Sequence, residues 1–194
     1  YYKGEYNPKD DKGFAPAPAH RLDRNTSGLV VFAKNLISLQ ELEVLFKEKE
    51  DIKKEYQALV VGHFDGEKTI DAPLKKDMNT GLVKVARDGK SALTKVKPVK
   101  YYGDYTLVNV QIFTGRTHQI RVHLASIGFP VVGDAKYGDF KVNKEFRDLY
   151  KFENQFLHAY KLSFGNLKGN LSYLKNQVIE VELPSNEQKV LKSL

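Results

Sequence analysis

Thr114-Gly115-Arg116-Thr117-His118-Gln119-Ile120-Arg121-Val122-His123-Leu124 is where the hydrophobic period of the chain changes. From Gly115 onward Ile120, Leu124 and Ile127 share one helical stripe, with Gly128 where a helix would stop and Thr117 as the expected N-cap. Upstream the period is two. Segments 92–101 and 105–114 read as strands joined at Gly103-Asp104, and 82–86 precedes them across Asp88-Gly89. Tyr56, Ala58 and Val60 alternate with Gln57, Leu59 and Val61, so 54–61 is another strand, and 177–183 is expected to be a further one. Gly66 and Asn79-Thr80-Gly81 supply turn chemistry. A run of antiparallel hairpins therefore feeds one helix.

Toward the N-terminus, residues 1–19 are polar and broken by Gly4, Pro8, Gly13, Pro16 and Pro18, which predicts a loop. Leu29-Val30-Val31-Phe32-Ala33 suits a buried strand. A helix is expected over 38–49, where Ser38 and Glu41 have capping-box spacing and Leu39, Leu42 and Leu45/Phe46 recur at helical intervals. Strands outnumber helices without regular alternation. The expected fold is α+β, a mostly antiparallel mixed sheet flanked by helices and loops, forming a single domain over 1–194 with no internal repeat or low-complexity tract.

Composition narrows the function classes. The 194 residues include no cysteine, so thiolate catalysis, a zinc knuckle and a disulfide scaffold are excluded. No apolar run approaches the ~20 residues that span a bilayer, and a cytoplasmic location is the expectation. A net charge of +7 and a pI near 9.3 favour a polyanionic partner. No exposed heptad is legible, so a monomer is expected.

Three stretches can carry chemistry. In His20-Arg21-Leu22-Asp23-Arg24-Asn25-Thr26-Ser27-Gly28 a carboxylate stands between two arginines, which favour its charged form. Asp23 is then either a nucleophile or base, or simply the first residue of a turn flanked by solvated charges. In the Gly115 stretch the N–H groups of a helix start together with Arg116 suit a phosphate, and Arg121 is able to aim two parallel hydrogen bonds at a carboxylate. An ordinary capped helix with basic surface residues is the alternative. In Lys54-Glu55-Tyr56-Gln57-Ala58-Leu59-Val60, Tyr56 is either a stacking or proton-relaying ring, or a core aromatic. His118 and His123 lie about 140° apart on a helix and no further ligands complete a shell, so no metal site is expected.

In order along nearly the whole chain, these segments resemble the RluA family of pseudouridine synthases. The resemblance is carried by His20-Arg21-Leu22-Asp23 with Thr26-Ser27-Gly28, by Lys54-x-Tyr56-x-Ala58-Leu59-Val60, and by Gly115 to His123. Gly128, Pro130, Gly133-Asp134, Tyr137-Gly138 and Leu157-His158-Ala159 continue it. Tyr137-Gly138-Asp139 with Asn143 and Phe146 looks most like the branch acting on 23S ribosomal RNA.

The resemblance implies isomerisation of uridine in RNA with no metal or organic cofactor. It makes Asp23 the essential carboxylate, Arg121 its salt-bridge partner, and Tyr56 the ring under the uracil and a proton acceptor at C5. Arg21 would contact the backbone or fill the space of an extruded nucleotide, Arg116 would hold phosphate, and His20, Thr26 and Gln119 complete the expected substrate-binding set. A module that only holds RNA is the alternative. The family's Asn-Lys-Pro-x-Gly strand is not seen before Tyr1, so the N-terminal part of the domain and any S4-like RNA-binding module are expected to be missing from this chain.

Overall fold

The computed structural model describes residues 13–194. The loop expected over 1–19 lies outside the described residues for positions 1–12. In chain order the strands are β1 (Ala17–Pro18), β2 (Ser27–Gly28), β3 (Phe32–Ala33), β4 (Ile52–Val61), β5 (Lys68–Asp71), β6 (Leu74–Lys76), β7 (Val83–Val85), β8 (Leu93–Tyr102), β9 (Tyr105–Ile112), β10 (Leu157–Phe164) and β11 (Val178–Glu180). The helices are α1 (Leu36–Glu48), α2 (Gln119–Ser126), α3 (Phe140–Tyr150) and α4 (Ser185–Ser193), with a 3₁₀ turn over Gly169–Leu174. This is the α+β fold that the hairpin run implies.

The described chain forms two compact units, each assembled from segments distant in sequence. The larger comprises 23–29, 53–162 and 179–194, and the other takes 30–52, 163–178 and the residues up to 22. A seven-stranded sheet in the order β11-β10-β4-β9-β8-β5 carries the larger unit, with β2 added against β10. β4 and β9 pair antiparallel, Tyr56 opposite Val110 and Leu59 opposite Leu107. β8 and β9 form the long hairpin around Gly103, whose φ of 56° is open to glycine at no steric cost. Pro98 falls beyond the stretch of β8 that β5 covers, and the register slips between Pro98 and Lys100. A residue without an N–H is tolerated at such an edge.

The main core cluster gathers Leu59 and Leu107 from the sheet with Val132, Phe146, Phe152, Phe156 and Val190. Phe146, fully buried on α3, meets Tyr105 and Tyr150 edge-on at ring-centroid distances of 5.0 and 5.2 Å. Val190 ties α4 to the same cluster. Neither helix had a legible sequence signal, because α3 buries Phe146 alone and α4 only Glu187 and Val190. β5 and β6 were too short to read.

In the smaller unit β1 pairs with β3, and α1 buries Leu42, Leu45 and Phe46. Three local expectations are corrected. The run 29–33 is not one buried strand: the Leu29 N–H donates to the Ala159 carbonyl while the Val31 carbonyl accepts from Ala19, so its backbone changes partner midway. Only Phe32–Ala33 is strand, and Val30 and Phe32 are exposed. α1 starts at Leu36 rather than 38, because the Asn35 side chain, not Ser38, caps it by accepting from the Ser38 N–H. The strand expected over 177–183 is confined to Val178–Glu180, all exposed.

Truncating Phe146 to Ala should cost about 3–5 kcal/mol, because a fully buried ring between two tyrosines leaves a cavity that its neighbours cannot close. Urea unfolding of the variant checks this, with a lower midpoint at an unchanged slope as the expected result.

Candidate active site

Asp23 heads a turn closed by the Thr26 N–H, which donates to the Asp23 carbonyl at 3.0 Å. Asn25 takes the left-handed conformation in this turn, at φ 67°. Asparagine is one of the few side chains that enter this region readily. Gln155 braces the turn, its Nε2 donating to the Arg24 carbonyl at 2.6 Å and to Thr26 Oγ1 at 3.2 Å. The chain then enters β2, which runs parallel to β10 with Gly28 beside Ala159. A Cβ on Gly28, where φ is 116°, would lie 2.2 Å from the Ala159 carbonyl oxygen, so only glycine permits this approach. The turn is thereby held by its backbone, and the Asp23 side chain stays 24% exposed.

Arg121 reaches the same place from α2. Its Nη1 lies 3.5 Å from Asp23 Oδ2, a long contact. The two parallel bonds expected of it go instead to Asp134, from Nε to Oδ2 at 2.6 Å and from Nη2 to Oδ1 at 2.8 Å. The reason is burial: the Asp134 side chain is fully enclosed and needs complete charge compensation, whereas Asp23 keeps access to water. Asp134 Oδ1 also accepts from the Lys136 and Tyr137 N–H groups. Burial acts to raise the Asp134 carboxyl, but the Arg121 guanidinium and those N–H groups outweigh it and hold it below the ordinary carboxylate range. Asn143 on α3 fixes the backbone here, accepting from the Gly133 N–H and donating to the Asp134 carbonyl, each at 2.8 Å.

Tyr56 sits on β4 with 7% exposure. Burial and then the negative charge of Asp23 push its phenol upward, so it is neutral at ordinary pH. The Arg121 guanidinium also lies over the Tyr137 ring, 5.2 Å from its centroid. Tyr137 Oη accepts from the Val83 N–H at 2.9 Å and lies 2.8 Å from His118 Nδ1. His118, in the left-handed region at φ 53°, rather than Thr117 precedes the first residue of α2, and no side chain caps the helix.

The structure thus brings Asp23, Arg121 and Tyr56 together electrostatically and adds Asp134, which the sequence marked only as part of a Gly-Asp pair. Gln155 and Asn143 carried no signal as braces. Gln119, expected among the substrate contacts, is 3% exposed: its Oε1 takes bonds from Thr114 and the Arg116 N–H, and its Nε2 gives bonds to Leu93 and Thr94. Its bonding capacity is spent on bracing the start of α2. Thr26 Oγ1 is likewise engaged, by Gln155. Arg116 is exposed, donates to the Ser91 carbonyl at 2.9 Å, and lines a cavity of about 460 Å³ with Lys75, Lys76, Lys90 and Gly115. His20 and Arg21 belong to the smaller unit, where His20 Nε2 accepts from the Val31 N–H and its ring packs on Phe46. His123, fully buried, is bound to Thr94 and Ala72. Among the described residues no group of His, Cys, Asp and Glu has metal-binding geometry, and no helix is long and apolar enough to cross a membrane.

The RNA pseudouridylate synthase family pattern matches residues 1–126. The chain belongs to this family. It is 40% identical over 146 residues to the ribosomal large subunit pseudouridine synthase C of Vibrio cholerae, covering 75% of this chain and 46% of that protein. It is 36% identical over 196 residues to the ribosomal large subunit pseudouridine synthase D of Buchnera aphidicola, covering 96% of this chain and 61% of that protein. This puts the chain in the RluA family, in the branch of the ribosomal pseudouridine synthases C and D, about half of whose length it spans. Human RNA pseudouridylate synthase domain containing 4 has the same fold, with a TM-score of 0.73 at 23% identity over 93% of this chain and 77% of that one. Human RNA pseudouridylate synthase domain containing 1 follows at 0.67 and 25% identity, over 93% of this chain and 81% of that one.

Replacing Asp134 by Asn leaves the buried Arg121 charge with only the long contact to Asp23 and should destabilise the protein by about 3–5 kcal/mol. Because the Asp134 carboxyl is held below its unfolded value, its contribution is complete above that value and is lost as the pH falls through the depressed one. The stability gap between wild type and Asp134→Asn should therefore narrow in acid, which urea titrations at stepped pH would reveal.

Proposed function

We propose that this chain isomerises uridine to pseudouridine in RNA, with a uridine of large-subunit ribosomal RNA as substrate and Asp23 as the catalytic carboxylate. The observation carrying this is the Asp23–Arg121–Asp134 array: a partly open carboxylate on a braced turn, faced by a guanidinium that a buried carboxylate holds in one orientation. A protein that merely gripped RNA would need no such carboxylate. The names of the related ribosomal synthases support the same substrate class.

The reaction breaks the C1′–N1 bond, turns the uracil, joins C5 to C1′ and releases the C5 proton, while the freed N1 takes up a proton. Asp23 serves it by bonding to the nucleoside or by taking the C2′ proton. Both need its oxygens aimed at the sugar to within a fraction of an ångström, and the Arg121 contact supplies that aim. Tyr56 offers its ring to the uracil. Its neutral phenol favours stacking over service as a free phenolate base. The target nucleotide must leave its stack at a cost of a few kcal/mol. Phosphate contacts at Lys75, Lys76, Lys90 and Arg116 around the basic cavity offset part of that cost.

Large-subunit ribosomal RNA transcripts carrying tritium at uridine C5 test the proposal. The protein should release label while leaving the RNA at full length, and Asp23→Asn should abolish release without altering the unfolding midpoint. Turnover retained in that variant would remove Asp23 from the role, and RNA binding without any release would leave a binding module. RNA affinity should also weaken by roughly 0.7 log units per phosphate contact for each tenfold rise in salt. Arg116→Ala should lower that slope by about one contact's worth, read by filter binding across a salt series.

A further inference from the structure

A buried polar cluster outside this array adjoins the strand that follows Asp23. Ser27 Oγ on β2 lies 2.7 Å from His158 Nδ1 on β10 and 3.2 Å from Glu187 Oε1 on α4. His158 is 2% exposed and Glu187 4%. His158 Nε2 lies 3.3 Å from the Val181 carbonyl, and Glu187 Oε2 is buried with no hydrogen-bond partner. A serine as nucleophile is not what this geometry builds. Acid and imidazole both touch the hydroxyl rather than each other, and Nε2 is spent on a backbone carbonyl, so nothing relays a proton away from Ser27.

Burial favours the neutral forms of both His158 and Glu187, and the donors and acceptors then fix the direction of each bond. A carbonyl accepts only, so the bond to Val181 requires a proton on Nε2. A neutral imidazole then has a bare Nδ1, which takes the single Ser27 proton across the shorter of the two contacts. The remaining contact, between Ser27 Oγ and Glu187, is a hydrogen bond only if the carboxyl brings its own proton. The partnerless Oε2 points the same way: a carbonyl oxygen without a partner costs far less in the interior than half of a carboxylate.

We propose that Glu187 is a positioning residue which, as a neutral carboxylic acid, donates to Ser27, which donates to His158, and that this one-way chain pins β2 and the Asp23 turn to α4 and β10. Burial agrees, pushing the Glu187 carboxyl up to about 7 against the opposing pull of the Ser27 hydroxyl, and lowering His158 despite the backbone carbonyls that favour its charge. Of the charged groups on neighbouring elements, Lys189 and Lys192 on α4 are exposed, as are Glu182 and Glu180, and Glu180 pairs with Lys161. His158 is the ionisable group that shares the serine.

The link to turnover rests on the isomerase proposal above, while the proton chain and the anchoring of the turn do not, so they are measured separately. Nitrogen NMR of the whole chain at pH 6 should find His158 as the neutral Nε2–H tautomer, and carboxyl carbon shifts should show Glu187 titrating near 7 rather than near 4.5. An imidazolium at His158 facing an ionised Glu187 would overturn the proposal. The raised carboxyl also has a stability signature. The folded state keeps a proton that the unfolded chain loses, so the stability of wild type relative to Glu187→Gln should fall as the pH rises from about 4.5 to about 7, then level.

Anchoring is read by amide exchange at Thr26 and Leu29, whose N–H groups bond to Asp23 and Ala159. Glu187→Ala should speed exchange there roughly tenfold, and Glu187→Gln, which still presents a donor, should restore protection. If Glu187→Ala does not fold, Ser27→Ala breaks the same chain at its middle and should give the same result. Unchanged protection in the folded variants would overturn the proposal. If the chain turns over uridine, Glu187→Ala should lower kcat roughly ten- to a hundredfold with little change in KM, and Glu187→Gln should recover it. Loss of turnover equally severe in Glu187→Gln would overturn the positioning role. An inactive wild type would remove the isomerase proposal and leave the spectroscopic and exchange results to decide this one.

Discussion

The buried pair of Arg121 and Asp134 is the constraint around which the larger unit is arranged. Enclosing both charges costs several kcal/mol per ion, and the return Coulombic gain offsets this only when every donor and acceptor is placed. The neighbourhood supplies that placement. Gln119 seats the start of α2, Asn143 fixes the Gly133-Asp134 backbone, two N–H groups close on Asp134, and the Tyr137 ring lies under the guanidinium. A buried ion pair of this kind is a poor way to gain stability. What it secures is direction, leaving the third guanidinium nitrogen aimed at Asp23.

The rigid and the irregular parts of the fold divide the work. Long antiparallel strands hold Tyr56 in a fully paired lattice, with Val110 opposite it. Asp23 and Asp134 lie on turns between elements, with Asn25 and Gly133 beside them at positive φ. Backbone of that sort persists only where its surroundings over-determine it, as Gln155 and the Ala159 carbonyl do for the Asp23 turn. The C-terminal helix joins this scheme from outside the sheet. α4 packs Val190 into the core and carries Glu187 to Ser27, four residues beyond Asp23.

Much of this was legible in the residues alone. Turn chemistry at Gly103-Asp104 between two strand-length segments marked the β8–β9 hairpin, the change to a period near 3.6 after Gly115 marked α2, and the family resemblance of ordered short motifs marked Asp23, Tyr56 and Arg121 as one group. α3 and α4 bury only one or two side chains each and β5 and β6 are four residues or shorter, and none of the four was read from the sequence. The 29–33 run misled because apolar composition records burial, and a backbone that changes partner midway records nothing in composition.

What the amino-acid sequence by itself determined were the periodic hairpins, the helix after Gly115 and the residue types able to do carboxylate chemistry, all properties of local spacing. Tertiary structure alone decided which carboxylate Arg121 would hold, that Gln119 would spend its amide on the fold, and that Ser27 would meet Glu187 160 residues away. The physical reason is that hydrogen-bond partnership depends on burial and distance together. Asp23 and Asp134 are the same side chain in sequence, and the complete burial of one drew the bidentate guanidinium to it and left the other open to water.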